Sequence, residues 1–315
     1  MSFFKRLFGG SSEPDTNTPS TYLHYKRVPE FKTYLLQEQY DVFAQHYKAM
    51  AWDEQGLVIE GLTCQPELDG PVETWTRAQP DQYLAFLLQG IAMTRKAWDI
   101  RTSKLASEVT EEQAQGFFEH LALAFQALER ASHLNQTDPL VPARMIPVLM
   151  GQESDTATAF SYFEAARALQ PSHPGAHMSM LLYLAPKWHG SIEEMARFLD
   201  TYVDSDTYPL LTSVRLSAVF EEWTNLKLEG DEEGYKSFFA DENRRAYIRG
   251  LYERFREPTD GKLLTPFVRN WFGLALLKIK EHDLASREIR AIKGKMAVSP
   301  WRMVGITSYD MLFKK

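Results

Sequence analysis

A chain of 315 residues, 44% hydrophobic and 24% charged, can bury one or two conventional cores or build one continuous helical array. Its formal net charge of −7 argues against a general nucleic-acid binder, because neutralising phosphates requires a basic surface. Cys64 is the only cysteine, which excludes an intrachain disulfide and any four-cysteine zinc site and fits a reducing, cytoplasmic setting with a buried free thiol.

The first ten residues interrupt Phe3, Phe4, Leu7 and Phe8 with Lys5 and Arg6. The run is too short for a signal-peptide core and shorter than a stable isolated helix. It reads as a frayed tail or a partner-docking peptide, and any membrane contact would be confined to a weak surface foot at residues 1–10. Residues 9–20, GGSSEPDTNTPS, read as polar linker, so a flexible tail is expected over 1–20. The longest uncharged stretch, 168–186, holds Pro171, Pro174 and Pro186 and is wrong for a membrane span.

Ordered structure is expected from near Pro29, a helix-opening proline. Phe31, Tyr34, Leu35, Tyr40, Phe43 and Tyr47 give one or two amphipathic helices, and a further run follows near 51–64. Pro66, Gly70, Pro71 and Pro80 mark a break at 65–80. A helix from about Gln82 to Leu105 carries Trp98 and Arg101. Thr110-Glu111-Glu112-Gln113 is a capping box opening a helix with the apolar stripe Phe118, Leu121, Phe125 and Leu128.

Phe125, Leu128, Ala131, Leu134 and Pro139 recur 35 positions later as Phe160, Phe163, Ala166, Leu169 and Pro174. That spacing is close to the tetratricopeptide period of about 34 residues. Prolines at 139, 174, 209, 266 and 300 mark further helix starts. Ser191-Ile192-Glu193-Glu194 is a second capping box, with Gly190 turning the chain before it. Strand-length alternation is not evident. The echo is lost after residue 204, which divides the chain into a helical domain at 28–204 and a helical extension at 205–315. Residues 262–315 carry eleven Lys/Arg against four Asp/Glu. Such a basic end either docks on the acidic body, is simply solvated, or steers a charged partner. The arginines interleaved with aromatics at 241–256 are offset by Asp241, Glu242, Glu253 and Glu257, and read as an amphipathic surface helix rather than a nucleic-acid contact.

Signatures of chemistry are sparse. GxSxG, the Walker A loop and GxGxxG are absent, so neither catalysis nor a cofactor is expected. His173 and His177, four apart, could share a helical face as zinc requires, with His189 nearby. No HExxH pattern accompanies them, and a structural role is favoured.

The order of Trp75, Ala97-Trp98-Asp99-Ile100-Arg101, the Ala131–Pro139 repeat edge, Leu169-Gln170-Pro171-Ser172-His173 and Lys187-Trp188-His189-Gly190-Ser191 resembles a bacterial tetratricopeptide-like family of unknown function. That family is similar in carrying a Lys-Trp-x-Gly-Ser signature and an Ala-Trp-x-x-Arg-Gly signature; this chain has Thr102 where the second has Gly. The resemblance implies a helical-repeat fold and carries no established activity.

The combined expectation is an all-α, tetratricopeptide-like antiparallel repeat array (an α-solenoid) that serves as a non-catalytic protein–protein scaffold in a bacterial cytoplasm. Trp98, Arg101, Lys187, Trp188 and His189 are the candidate partner-binding residues, since Trp and Arg are the types enriched at binding hot spots. The plainer reading is that they lock adjacent helices together. An immunity-type protein occluding a bacterial toxin is one alternative. An enzyme or metal-binding protein using His173, His177 and His189 is another.

Overall fold

The computed structural model describes residues 16–102 and 108–313. The expected foot at 1–10, and the linker up to residue 15, lie outside them. Among the described residues there are fifteen α-helices and no strand.

The first four helices are α1 (Val28–Leu36), α2 (Tyr40–Lys48), α3 (Trp52–Thr63) and α4 (Asp69–Ala78). The expected break at 65–80 is thus mostly helix. Gly70 and Pro71 fall in the first turn of α4, where amides have no intrahelical acceptor and a proline costs nothing. Trp75 of α4 is fully buried, stacked on Tyr40 with ring centroids 5.0 Å apart and set edge-on to Phe43 at 4.9 Å.

Next come α5 (Tyr83–Arg101), α6 (Glu111–Leu134), α7 (Leu140–Gly151), α8 (Thr156–Leu169), α9 (Pro174–Tyr183) and α10 (Ile192–Tyr202). The capping box forms as read: Thr110 Oγ1 accepts from the Gln113 amide and Gln113 returns the bond. The buried stripe of α6 is Phe117, Leu121, Ala124, Leu128 and Ala131. Phe118 is 49% exposed and Phe125 only partly buried, so the expected stripe is shifted by one residue at its start. The echo is structural. Leu128 and Phe163 are both fully buried, as are Ala131 and Ala166, while Pro139 and Pro174 precede or open α7 and α9. α7 packs on both helices of the following pair.

The chain ends with α11 (Thr212–Leu228), α12 (Glu232–Ser237), α13 (Glu242–Arg254), α14 (Thr265–Lys278) and α15 (His282–Ala291). Two helices serve two cores each. α7 gives Met145 and Val148 to the core of α1–α6, but Ala143 and Ile146 to that of α8–α10. α11 gives Val214 and Ala218 to this second core, and Leu216, Phe220 and Trp223 to the C-terminal one. Helices covered on both sides lose the one-sided pattern of a surface helix. Packing therefore runs across the 204/205 division drawn where the repeat ends.

The polar stretch reaching residue 20 is expected to be linker, yet residues 17–20 pair with the C-terminal segment. The Ser20 amide donates to the Met296 carbonyl at 2.8 Å, and the Tyr309 amide donates to the Asn17 carbonyl at 2.7 Å. Main-chain groups need no apolar side chain to find partners, so composition carried no sign of this. Buried Asn270 holds the other side of the segment. Its side chain accepts from Trp301 Nε1 (2.6 Å) and the Ala297 amide (3.0 Å), and donates to the Pro266 and Lys295 carbonyls. The C-terminal segment thus docks on the start of the chain by backbone pairing and apolar contact, with Leu23, Leu57 and Ala297 in one small core.

Candidate functional site

Trp98 and Arg101 lie three apart at the end of α5, a spacing that places side chains on one helical face. Trp188 reaches them from the turn after α9. The tryptophan rings meet edge-to-face, 5.2 Å between centroids at 84°. The Arg101 guanidinium sits 5.1 Å from the Trp188 ring and 5.9 Å from that of Trp98, within cation–π range. Trp98 also stands edge-on to Phe117 at 5.0 Å, and Phe117 touches the half-exposed Phe118. Three of the five candidate residues therefore gather, and they do hold α5 against the 184–190 turn.

The other two point elsewhere. Lys187 Nζ lies 2.6 Å from Glu221 Oε2, a carboxylate buried on α11. His189 Nε2 donates to the Met150 carbonyl at 2.8 Å, and its ring lies 4.5 Å from that of Tyr183. Gly190 is required for this close turn, because a Cβ there would run into the Leu184 carbonyl. Ser191 then caps α10 by accepting from the Glu194 amide. Lys187 and His189 thus fix the turn that presents Trp188.

The converging histidine site expected as an alternative does not form. His173 caps α9, its Nδ1 accepting from the Ala176 amide at 3.1 Å. His177 Nδ1 donates to the His173 carbonyl at 2.9 Å, and its ring packs edge-on to Phe163. Burial pushes His173 down to about 3 and His177 to about 4, so both rings are neutral near pH 7; Arg144 adds to the effect at His173. Each histidine is committed to a separate backbone group, and the described residues contain no cluster of three or more His, Cys, Asp or Glu placed for a metal ion. Cys64 is half-buried, bonds the Gly61 carbonyl, and has its thiol pKa raised by burial, the opposite of an activated thiol. In the 241–256 stretch, Arg244 pairs with Glu222, Arg249 with Glu281, and Arg254 with Asp206.

Residue-by-residue reading missed a pocket. It has a volume of about 330 Å³ and lies where α3, α7 and α9 meet the C-terminal segment. Leu57, Leu140, Leu264 and Phe267 give it apolar walls, and Asp53 and the Glu60–Arg144 ion pair are its charged elements. At its mouth Trp52 Nε1 donates to Asp260 (2.8 Å), which also accepts from Gln170 (2.7 Å). A second pocket of about 220 Å³ shares Thr21, Glu60 and Arg144 with the first and adds Arg95, Cys64 and Trp98. The residues of both pockets come from distant parts of the chain, and a local signal for the larger was Gly56, a glycine in the interior of α3.

A family model described as a domain of unknown function (DUF4034) matches residues 43–151. The match takes in Trp75 and Trp98–Arg101 and stops short of Lys187–Ser191. No curated protein matches the chain, and no solved structure does. Among the described residues no helix is long and apolar enough to cross a membrane. What the comparisons add is similarity, over about a third of the chain, to a domain family of unknown function.

Proposed function

We propose that the protein is a non-catalytic binding protein, an adaptor that docks a partner protein on the patch formed by Trp98, Arg101, Trp188 and Phe118. The observation that supports this reading is the packing of Arg101 within cation–π range of two tryptophan rings, near a phenylalanine that remains 49% exposed. Flat aromatic anchors next to an arginine are the composition of interface hot spots, and a large apolar side chain left in water gains by being covered. Lys187 and His189 belong to the scaffold of the patch in this reading, since each is held by an internal partner. The cytoplasmic, bacterial setting expected from the sequence belongs to the same proposal.

The test is site-specific photo-crosslinking in cells of the native host. A photoreactive phenylalanine analogue at Phe118 should trap one discrete protein, while the same analogue at Leu228, also exposed but far along the chain, should not. Identical products from both positions, or none from Phe118, would contradict the reading.

A further inference from the structure

The geometry points to a second binding site, which adjoins the partner patch at Trp98: we propose that the two neighbouring pockets, which share Thr21, Glu60 and Arg144, bind a small amphipathic carboxylate, its apolar tail in the larger pocket and its head between Arg144 and Arg95 in the smaller.

The first observation is Gly56. It lies inside α3 and on the wall of the larger pocket, and beyond its own neighbours and helix backbone no atom comes within 4 Å of where its Cβ would stand. Glycine weakens a helix interior, and here neither a positive φ nor a close approach requires it. Alanine would strengthen the helix, and a side chain as large as leucine would occupy pocket space. The glycine keeps the space open at the expense of the helix.

The second is what the pocket is made of. Leu57, Leu140, Leu264 and Phe267 offer apolar surface that a hydrocarbon tail would cover, and the volume lies within the range of small-molecule sites. His173 on its wall is neutral. Asp53 is satisfied by backbone, accepting from the Glu54 and Leu263 amides. Glu60 is engaged by Arg144. The carboxylates of the wall therefore have partners.

The arginines have donors to spare. Arg144 Nε and Arg95 Nε are buried and have no hydrogen-bond partner among the described residues, while Arg95 Nη2 is held only by a long ion pair with Asp69 Oδ1. Arg95 stands 3.5 Å from Asp69 and 4.0 Å from Asp99, while Asp69 is closer to Lys96 at 2.9 Å. Arg144 keeps 28% of its side-chain area exposed and lines both pockets. A carboxylate between the two guanidiniums takes up donors that the protein leaves idle, after a small rotation of either side chain, and charge-assisted pairing of this kind is the strong form of the hydrogen bond.

The test uses isothermal titration of the full chain with decanoate, decanol and decylamine, each kept below its aggregation concentration. Decanoate should bind, decanol at least ten-fold more weakly, and decylamine not measurably. Arg95→Gln should weaken decanoate ten-fold or more and leave decanol unchanged. Gly56→Leu should abolish decanoate binding with a Tm no lower than that of the wild type, which separates a filled pocket from a damaged fold. Gly56→Ala, the smaller step, should weaken binding partially and raise the Tm. Equal affinity for decanol and decanoate, binding of decylamine, binding of none of the three, or full binding by Gly56→Leu would each overturn the proposal.

Discussion

Thr102 ends α5 at φ +62° and ψ −177°, a region that β-branched residues avoid and glycine enters freely. The turn is made here with Thr, at the residue adjoining Arg101. Thr102→Gly is expected to stabilise the chain by roughly 1 kcal/mol, the relief of strain outweighing the greater freedom of glycine in the unfolded state; urea titration would show the midpoint move up. Lys187 argues the other way. Its ammonium is the ion-pair partner of the buried Glu221 carboxylate, and Lys187→Ala leaves that acceptor in place. The expected loss is roughly 1–3 kcal/mol, much of it recovered by adding Glu221→Leu. An unchanged midpoint for Lys187→Ala would mean that water replaces the ammonium and that the residue is dispensable to the turn. Neither role was legible in the sequence. A lysine in a short motif looks the same whether it faces a partner or a carboxylate 34 residues away.

The helices themselves were largely legible, because capping boxes, opening prolines and apolar spacing are local chemistry. The Thr110 box, the prolines at 139 and 174, and the 35-residue echo all have counterparts in α6–α9. Reading failed where a local signal had two meanings. Gly70-Pro71 reads as a break and is a helix start; Phe118 and Phe117 are adjacent, and periodicity placed the wrong one inside. α9 gives an element-scale prediction. His173 and His177 titrate at about 3 and about 4 in the fold, against an ordinary 6.5. As pH falls below about 6.5 the unfolded chain takes up protons first, so the stability these neutral rings allow is full above that pH and is lost toward pH 4. The expected slope is about 1.4 kcal/mol per pH unit for each histidine. His173→Asn retains a capping oxygen and should remove about half of the slope; unfolding titrations at stepped pH read it directly, and an unaltered slope would place the acid sensitivity elsewhere. In α3, Gly56→Ala should add roughly 0.5–1 kcal/mol from helix propensity alone, read as a rise in midpoint.

At the scale of the whole molecule, residues 17–20 close on the C-terminal segment. The pairing of Ser20 with Met296 and of Tyr309 with Asn17, with the Asn270 bonds behind it, encloses the pocket between the first helices and the last. An open repeat array is what local periodicity alone implied. Closure depends on contacts some 280 residues apart in sequence, which no window of sequence can display. The same limit explains the candidate site. Trp98 and Arg101 could be paired by helical spacing, but their meeting with Trp188 required the path of four intervening helices. That meeting carries the central claim, and the most direct measurement is the affinity of the partner trapped at Phe118 for three purified chains. Phe118→Ser should weaken the reconstituted complex ten-fold or more, as loss of a hot-spot anchor does, with circular dichroism unchanged. Leu228→Ser, the exposed control, should bind as the wild type does. Equal affinity of all three chains would contradict the assignment of the patch as the partner-binding face.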